Sequence, residues 1–562
     1  MVNIVERILG LIMETTHIKA IFQAQNECSK KLTKVINLFF KENKLGTIKT
    51  FPLSIPTGWG KTRVSIRSIL NTNKKSTVVL WPQADSHVNE IWASNYNWLR
   101  IIKKDVKEDK SFNLWTKIGE KEHSPQIDMQ SLERKEIRKL ENHSFFYVNG
   151  SFNKGEQTLE NLFDNSRLSR NLIFVIDEWH TKDILKKFQK SRQKPKEFWT
   201  DYLFDKSKLS DKVKTFVLLV SATPIASTSH MDSVKDDFDD KHYEKSIKDS
   251  MKELSDLVCF DKDTAKIQEI YNDPISEAVN KLSSEKKKLK DFVFGRKWDW
   301  AKEYVGIYKK TKAKDLPPHL VYLNDQALFW RQSWTWKKWD DEKTKLSEVK
   351  DYDNVSNKQK ALIEFLKKYK EDKGGGRRKF VIFCHHIGIA KALETFLNNE
   401  KSLKVFVGTK KQNCAYYLSG EPKKKDEKFQ SFIEDDDKLK ENPERICYLI
   451  VTDKHSQGVS FHKSMAWLIH YELSWNPIRI IQRFGRVWRI KKTGNAKDQS
   501  LMLTRPVAFY IPYTYSSEEE QIHRLIRRWE ILKRIQENSS ININLLPVSY
   551  EIALGCRITP EP

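Results

Sequence analysis

Five consecutive apolar residues, Leu172-Ile173-Phe174-Val175-Ile176, run straight into Asp177-Glu178-Trp179-His180. A strand that is apolar at every position has no solvent face, so it belongs in a sheet covered on both sides, which implies parallel strands joined by crossover helices. Three further runs share this character: Val78-Val79-Leu80, Phe145-Phe146-Tyr147-Val148 and Phe216-Val217-Leu218-Leu219-Val220. Helical patterns separate them between about residues 17 and 230. The alternation resumes near residue 356. There a helix turns Leu362, Phe365, Leu366 and Tyr369 inward, the glycine triplet 374–376 follows, and strands are expected at Phe380-Val381-Ile382-Phe383 and Tyr448-Leu449-Ile450-Val451. The fold class is therefore α/β with two parallel-sheet lobes, in keeping with 562 residues, more than one core organises.

Composition divides the chain further. Residues 1–235 form the first lobe and 356–515 the second. Between them, 236–355 reads as a mainly helical insertion or linker, rich in Lys and Trp, with a charge-dense helix over 276–290 and no strand expected. Residues 516–562 read as a charged amphipathic helix and a short tail. In 330–339 and at Trp298 and Trp300, cations alternate with tryptophans. Such rings can stack on bases, but packing of the inserted helices is the favoured reading. His385 and His386 fit a loop better than a metal site, and 286–288 a solvated helix face.

Lys and Arg outnumber Asp and Glu by 100 to 75, so a net charge of +25 favours a polyanionic partner. Charge alone does not separate nucleic acid from an acidic membrane. Six scattered cysteines without a C-x-x-C pair argue against a zinc ribbon or disulfide framework and fit a reducing, cytoplasmic setting. The apolar run 8–13 is flanked by Glu6 and Glu14 and is too short to span a bilayer, so neither a signal peptide nor a membrane anchor is expected.

The chemistry concentrates in three places of the first lobe. Pro56-Thr57-Gly58-Trp59-Gly60-Lys61-Thr62 lies between a strand at Thr50-Phe51-Pro52-Leu53 and a helical run over 63–70. Glycines 58 and 60 let backbone N–H groups close on phosphate oxygens, Lys61 neutralises the phosphates, and the Thr62 hydroxyl suits Mg²⁺. Ile55 stands where the longer form of this loop has its first glycine. At the end of its strand, Asp177 suits Mg²⁺ and Glu178 suits activation of a water. Ser221-Ala222-Thr223-Pro224 closes a third strand, and the Ser221 and Thr223 hydroxyls can couple the metal-binding segment to the rest of the lobe. In the second lobe, Thr452-Asp453 is followed by Gln457-Gly458 and by Gln482-Arg483-Phe484-Gly485-Arg486-Val487-Trp488-Arg489. Arg486 and Arg489 are three apart and are expected to share one helical face.

This ordered set resembles the two-lobed superfamily-two helicases and translocases, with an acidic box of DExH type. Tyr471-Glu472-Leu473-Ser474-Trp475-Asn476-Pro477 running into 482–490 is similar to the Swi/Snf-like ATPases. The resemblance covers roughly 17–235 and 356–515. It implies two RecA-like lobes, ATP and Mg²⁺ as ligands, and an upstream glutamine that reads adenine, Gln25 or else the nearby Gln23. It further implies coupling roles for His180, Gly458 and Gln482, a strand contact at Thr452 with others in 81–87, and arginine fingers at Arg486 and Arg489. The loop after Gly458 departs from the family pattern at Ser460. The expected activity is ATP-driven translocation on or remodelling of DNA, with RNA an alternative polymer and partner proteins supplying a second activity. If the source is bacterial, the chain is expected at the nucleoid. A strand-separating helicase and an ATP-switched scaffold without turnover stand as alternatives. Strand polarity, pathway and oligomeric state are not encoded in these motifs.

Overall fold

A computed structural model describes residues 2–56, 58–81, 111–113, 116–117, 126–128, 143–147, 170–179, 213–222, 240–257, 262–287, 293–294, 357–370, 378–384, 387–403, 405–407, 410–412, 414–419, 426–433, 446–453, 459, 461, 464–474, 476–493, 500–511, 517–538 and 546–560. Its contacts divide the chain into two compact units, Met1–Ser276 with Ile531–Pro547, and Glu277–Glu530 with Val548–Pro562. Thr57, His180, Thr223, Gly458, the glycine triplet, His385, His386 and the tryptophans of 298–339 lie outside the described residues.

In the first unit the described elements are α1 (Val2–Glu42), β1 (Ile48–Ser54), α2 (Lys61–Leu70), β2 (Ser76–Trp81), β3 (Thr116–Lys117), β4 (His143–Tyr147), β5 (Asn171–Asp177), β6 (Lys214–Ser221), α3 (Asp240–Leu257) and α4 (Lys262–Glu269), with two short strands besides, Ser111–Asn113 and Gln126–Asp128. The sheet runs β1-β6-β5-β2-β4-β3, and every pairing is parallel. The apolar run at 172–176 does what its composition requires, since β5 lies between two strands and all five of those residues are buried. Ser54 is level with Ser221, and Asp177 with Val220, so β1, β6 and β5 end together at the carboxyl edge. Helix α1 buries Ile21, Cys28, Leu32 and Ile36 on one face. It is fastened to α2 where Thr33 Oγ1 donates to the Ser68 carbonyl at 3.0 Å and Ser68 Oγ to the Ser29 carbonyl at 3.2 Å. Helix α4 packs on α1 and β1. Among the described residues no helix is long and apolar enough to cross a membrane.

The second unit repeats the plan. Its elements include α6 (Asn357–Lys368), β7 (Phe380–Cys384), α7 (Ile387–Asn399), β8 (Ala415–Tyr417), α8 (Glu427–Ile433), β9 (Tyr448–Thr452), β10 (Trp467–His470), α9 (Pro477–Val487), β11 (Ala508–Tyr510), α11 (Tyr550–Ala553) and β12 (Cys556–Arg557), while α5 (Asn272–Lys287) and α10 (Ser517–Glu537) each run from one unit into the other along the chain. The sheet order is β8-β9-β7-β10-β11-β12, again parallel throughout. The edge at β8 is closed by side chains from α7. Asn398 accepts from the N–H groups of Cys414 and Ala415 at 3.0 and 2.9 Å, and Glu394 accepts from that of Tyr417 at 3.0 Å. Such capping satisfies groups that an open edge would offer to another chain.

Two expectations need correction here. The tail beyond α10 is more than a tail, because β12 adds the sixth strand to this sheet. Gly555 precedes it with φ +90, and a Cβ there would lie 1.8 Å from the Ala508 carbonyl oxygen, so only glycine fits the close approach. The span 236–355 also holds a strand where none was expected: Val293–Phe294 pairs with Thr559–Pro560. Its partner lies more than two hundred residues away, so local composition carried no sign of it.

Candidate nucleotide site and arginine helix

The loop after β1 turns on its own backbone and is braced by one side chain from α1. The Trp59 N–H donates to the Pro56 carbonyl at 3.1 Å, and Gly58 and Gly60 are left-handed, with φ of 85 and 93. Gly60 then caps α2, whose first bond runs from the Val64 N–H to the Gly60 carbonyl at 2.9 Å. The helix start carries no acidic residue in its first turn, so its positive dipole end is not offset by a local carboxylate there. Gln25 reaches in from α1, its Nε2 donating to the Trp59 carbonyl at 2.9 Å. A Cβ on Gly60 would lie 2.5 Å from that Nε2, so glycine is required both for its φ and for the space. Gln25 is buried, and its Oε1 has no hydrogen-bond partner among the described residues. The Trp59 side chain is buried as well, so this residue meets the loop's surroundings through its backbone.

Lys61 Nζ forms an ion pair with Glu178 Oε1, which joins the start of α2 to the end of β5. Asp177 is 3% exposed, and its Oδ1 accepts from the Glu178 N–H at 3.1 Å. Glu178 has φ 47, a left-handed conformation that costs a non-glycine residue on the order of 1–3 kcal/mol and collects at functional sites. Thr62 is buried in the first turn of α2, and Ser221 is fully buried one strand from Asp177. Direct contacts thus unite Gln25, Trp59, Gly60, Lys61 and Glu178. Beside them, Arg63 lies over the Phe22 ring at 4.5 Å, and burial pulls its pKa down to about 10, so it stays charged at neutral pH.

In the second unit the functional side chains sit on α9. Asn476 Oδ1 accepts from the Ile478 N–H at 3.0 Å and Pro477 occupies the first turn, so the Asn-Pro pair is a helix-starting device. Eight of the eleven residues of α9 are buried, and the remaining three are Arg479, Gln482 and Arg486. Spaced three and four apart, they form one half-buried stripe, the least covered face of the helix. Burial lowers the Arg486 pKa to about 10 against the opposing charge of Asp453.

Arg489 does not share that stripe. The helix ends at Val487, Trp488 turns extended with ψ 92, and the chain enters a hairpin in which 490–493 pairs with 500–503. Arg489 instead folds back, its Nε donating to the Gly485 carbonyl at 2.9 Å. Burial, and then the nearby Arg486, pull its pKa down to about 9. Two proposed strand contacts are also displaced. Thr452 is 2% exposed with its hydroxyl bonded to Tyr417, and Trp81 is 1% exposed at the end of β2, so neither side chain presents a surface.

Arg483 carries contacts that motif reading had not assigned. Its Nε and Nη2 donate to Asp453 Oδ1 and Oδ2 at 2.6 and 2.7 Å, and Nη1 donates to the Glu472 carbonyl at 2.7 Å. The signal was present in the sequence. Arg483 lies three residues after Ile480 and four before Val487, on the apolar face, where a charge needs a partner.

Residues 357–491 match the helicase conserved C-terminal domain. The match runs from the start of α6 through α9 to the strand that follows it. A comparison with curated proteins gave no match. Among solved structures, the chain is similar to the Pyrococcus furiosus Hef helicase domain, at 14% identity and a TM-score of 0.40, over 87% of this chain and 97% of that one. Among the described residues no group of three or more His, Cys, Asp or Glu could hold a metal ion.

Proposed function

We propose that the chain is an ATPase that translocates on or remodels DNA. The observation that carries this reading is the Lys61–Glu178 ion pair, at a sheet edge where a glycine loop, Asp177 and Ser221 emerge from three adjacent strands. The residues fit ATP. Gly58, Gly60 and the start of α2 suit the phosphates, and the Gln25 Oε1, unpartnered among the described residues, suits the exocyclic amine of adenine. Thr62 and Asp177 supply the hard oxygen donors that Mg²⁺ takes, and the ion would offset phosphate charge.

Nucleotide phosphates compete with Glu178 for Lys61. That competition releases the carboxylate to orient and deprotonate the attacking water. Arg486, on the half-buried stripe of α9, supplies positive charge to the transferring phosphoryl group. Arg489 joins it as a second finger only if its bond to Gly485 opens. We assign the acidic segment to the DExH type and the second unit to the Swi/Snf-like branch, on Asp177, Glu178 and the helix-starting Asn476-Pro477.

Phosphate release measured without polymer and with duplex DNA, single-stranded DNA and RNA tests the proposal. Stimulation by duplex without strand displacement is expected. Displacement would reassign the chain to the strand-separating helicases, and no stimulation by any polymer would overturn the motor reading. Contacts to the phosphate backbone also require that DNA affinity fall steeply with salt.

A further inference from the structure

We infer that Arg483 is a positioning residue that sets where α9 presents Arg486, through a guanidinium fastened to the ends of three neighbouring strands. The inference rests on the assignment of Arg486 to the ATPase reaction. Asp453 directly follows β9, Phe383 lies in β7, and Glu472 lies two residues beyond β10. These strands are adjacent in the order β9-β7-β10.

One side chain meets all three. It is bidentate to the Asp453 carboxylate at 2.6 and 2.7 Å, donates to the Glu472 carbonyl at 2.7 Å and stands over the Phe383 ring at 5.2 Å. The guanidinium is 1% exposed, so its orientation is fixed by packing as well as by hydrogen bonds. A planar fork matched to a carboxylate fixes direction as well as distance, which a lysine ammonium does not. The strand ends are tied to each other too, since the N–H groups of Tyr471 and Glu472 both donate to the Phe383 carbonyl, at 3.1 and 3.2 Å. Arg486 lies three residues further along the same helix, so any rotation of α9 about this anchor moves it. Asp453 also receives Arg479 at 3.8 Å, which places one carboxylate between the buried anchor and the half-buried stripe.

The test is a double-mutant cycle on polymer-stimulated ATP turnover in the full chain, using Arg483→Lys, Arg486→Ala and the pair, with thermal melting of each. Misplacement of a reacting group by about 1 Å can cost about 10²-fold in rate, so Arg483→Lys should lower kcat by roughly tenfold to a hundredfold while KM for ATP stays within about twofold. In the Arg486→Ala background the same change should leave kcat unaltered. Equal losses in both backgrounds, or a folded Arg483→Lys protein with unaltered kcat, would overturn the positioning role. An Arg486→Ala protein with undiminished turnover would overturn the underlying assignment and the inference with it. If Arg483→Lys does not fold, Asp453→Asn, which keeps the side chain's size but removes its charge and one of the two acceptors that Arg483 uses, carries the same cycle.

Discussion

The two sheets follow one plan, six parallel strands with largely buried central strands, but their strand ends are finished differently. In the first unit the carboxyl edge holds a left-handed Glu178, a costly conformation, and near it a buried Gln25 oxygen without a partner among the described residues, while the two left-handed loop residues are glycines, which adopt that conformation freely. In the second unit the corresponding edge is closed on itself, with Arg483 shared among a carboxylate, a carbonyl and an aromatic ring. Strain and unmet hydrogen bonds mark an edge built to receive something, whereas saturation marks one built to hold an element still. The element held is α9, which carries Arg486.

The largest expected effect separates the two roles. Arg486→Ala should lower ATP turnover by about 10³- to 10⁵-fold with little change in ATP affinity, read by steady-state phosphate release and nucleotide titration. Next come two left-handed glycines, whose substitution should fail in different ways. Gly555→Ala drives a Cβ into the Ala508 backbone and should cost on the order of 2–3 kcal/mol in denaturant unfolding. Gly60→Ala meets only the tip of Gln25, so it should cost on the order of 1–2 kcal/mol of stability while sharply weakening ATP binding.

Acid should act on both sheets alike. Burial lowers the pKa of His143, in the first, to about 4 and that of His470, in the second, to about 3. Each is therefore neutral when folded and binds a proton more readily when unfolded. The stability they confer is complete above pH 6.5 and is lost as pH falls toward those values, by on the order of 1 kcal/mol per pH unit for each histidine. Unfolding at pH 7 and pH 5 checks this, and His470→Gln should flatten the slope. The smallest effect belongs to Gln25→Ala, which should reduce discrimination of ATP from GTP by about tenfold, as expected when one hydrogen bond to the base is removed.

What was legible in the sequence was whatever a short stretch decides for itself. The all-apolar runs at 172–176 and 216–220 announced buried parallel strands, and 56–62 announced its turn through its glycines. The short strands Ala415–Tyr417, Ala508–Tyr510 and Cys556–Arg557 were not legible, because two or three residues carry no periodicity and their place in the sheet is set by distant partners. The Arg486–Arg489 spacing misled for a related reason. Helical spacing holds only while the helix continues, and the pull of the 490–493 hairpin strand ends it at Val487. Arg483 was overlooked because the motif drew attention to its less covered neighbours, although its position on the apolar face was a physical clue.

If the Lys61–Glu178 edge hydrolyses ATP as proposed, Glu178 is the group whose loss must stop turnover. Glu178→Gln keeps the size of the side chain and removes its basicity, so the account predicts ATP binding within a few-fold of the unaltered protein and polymer-stimulated turnover reduced by about 10²-fold or more. Undiminished turnover in that variant, with the protein folded, would contradict it.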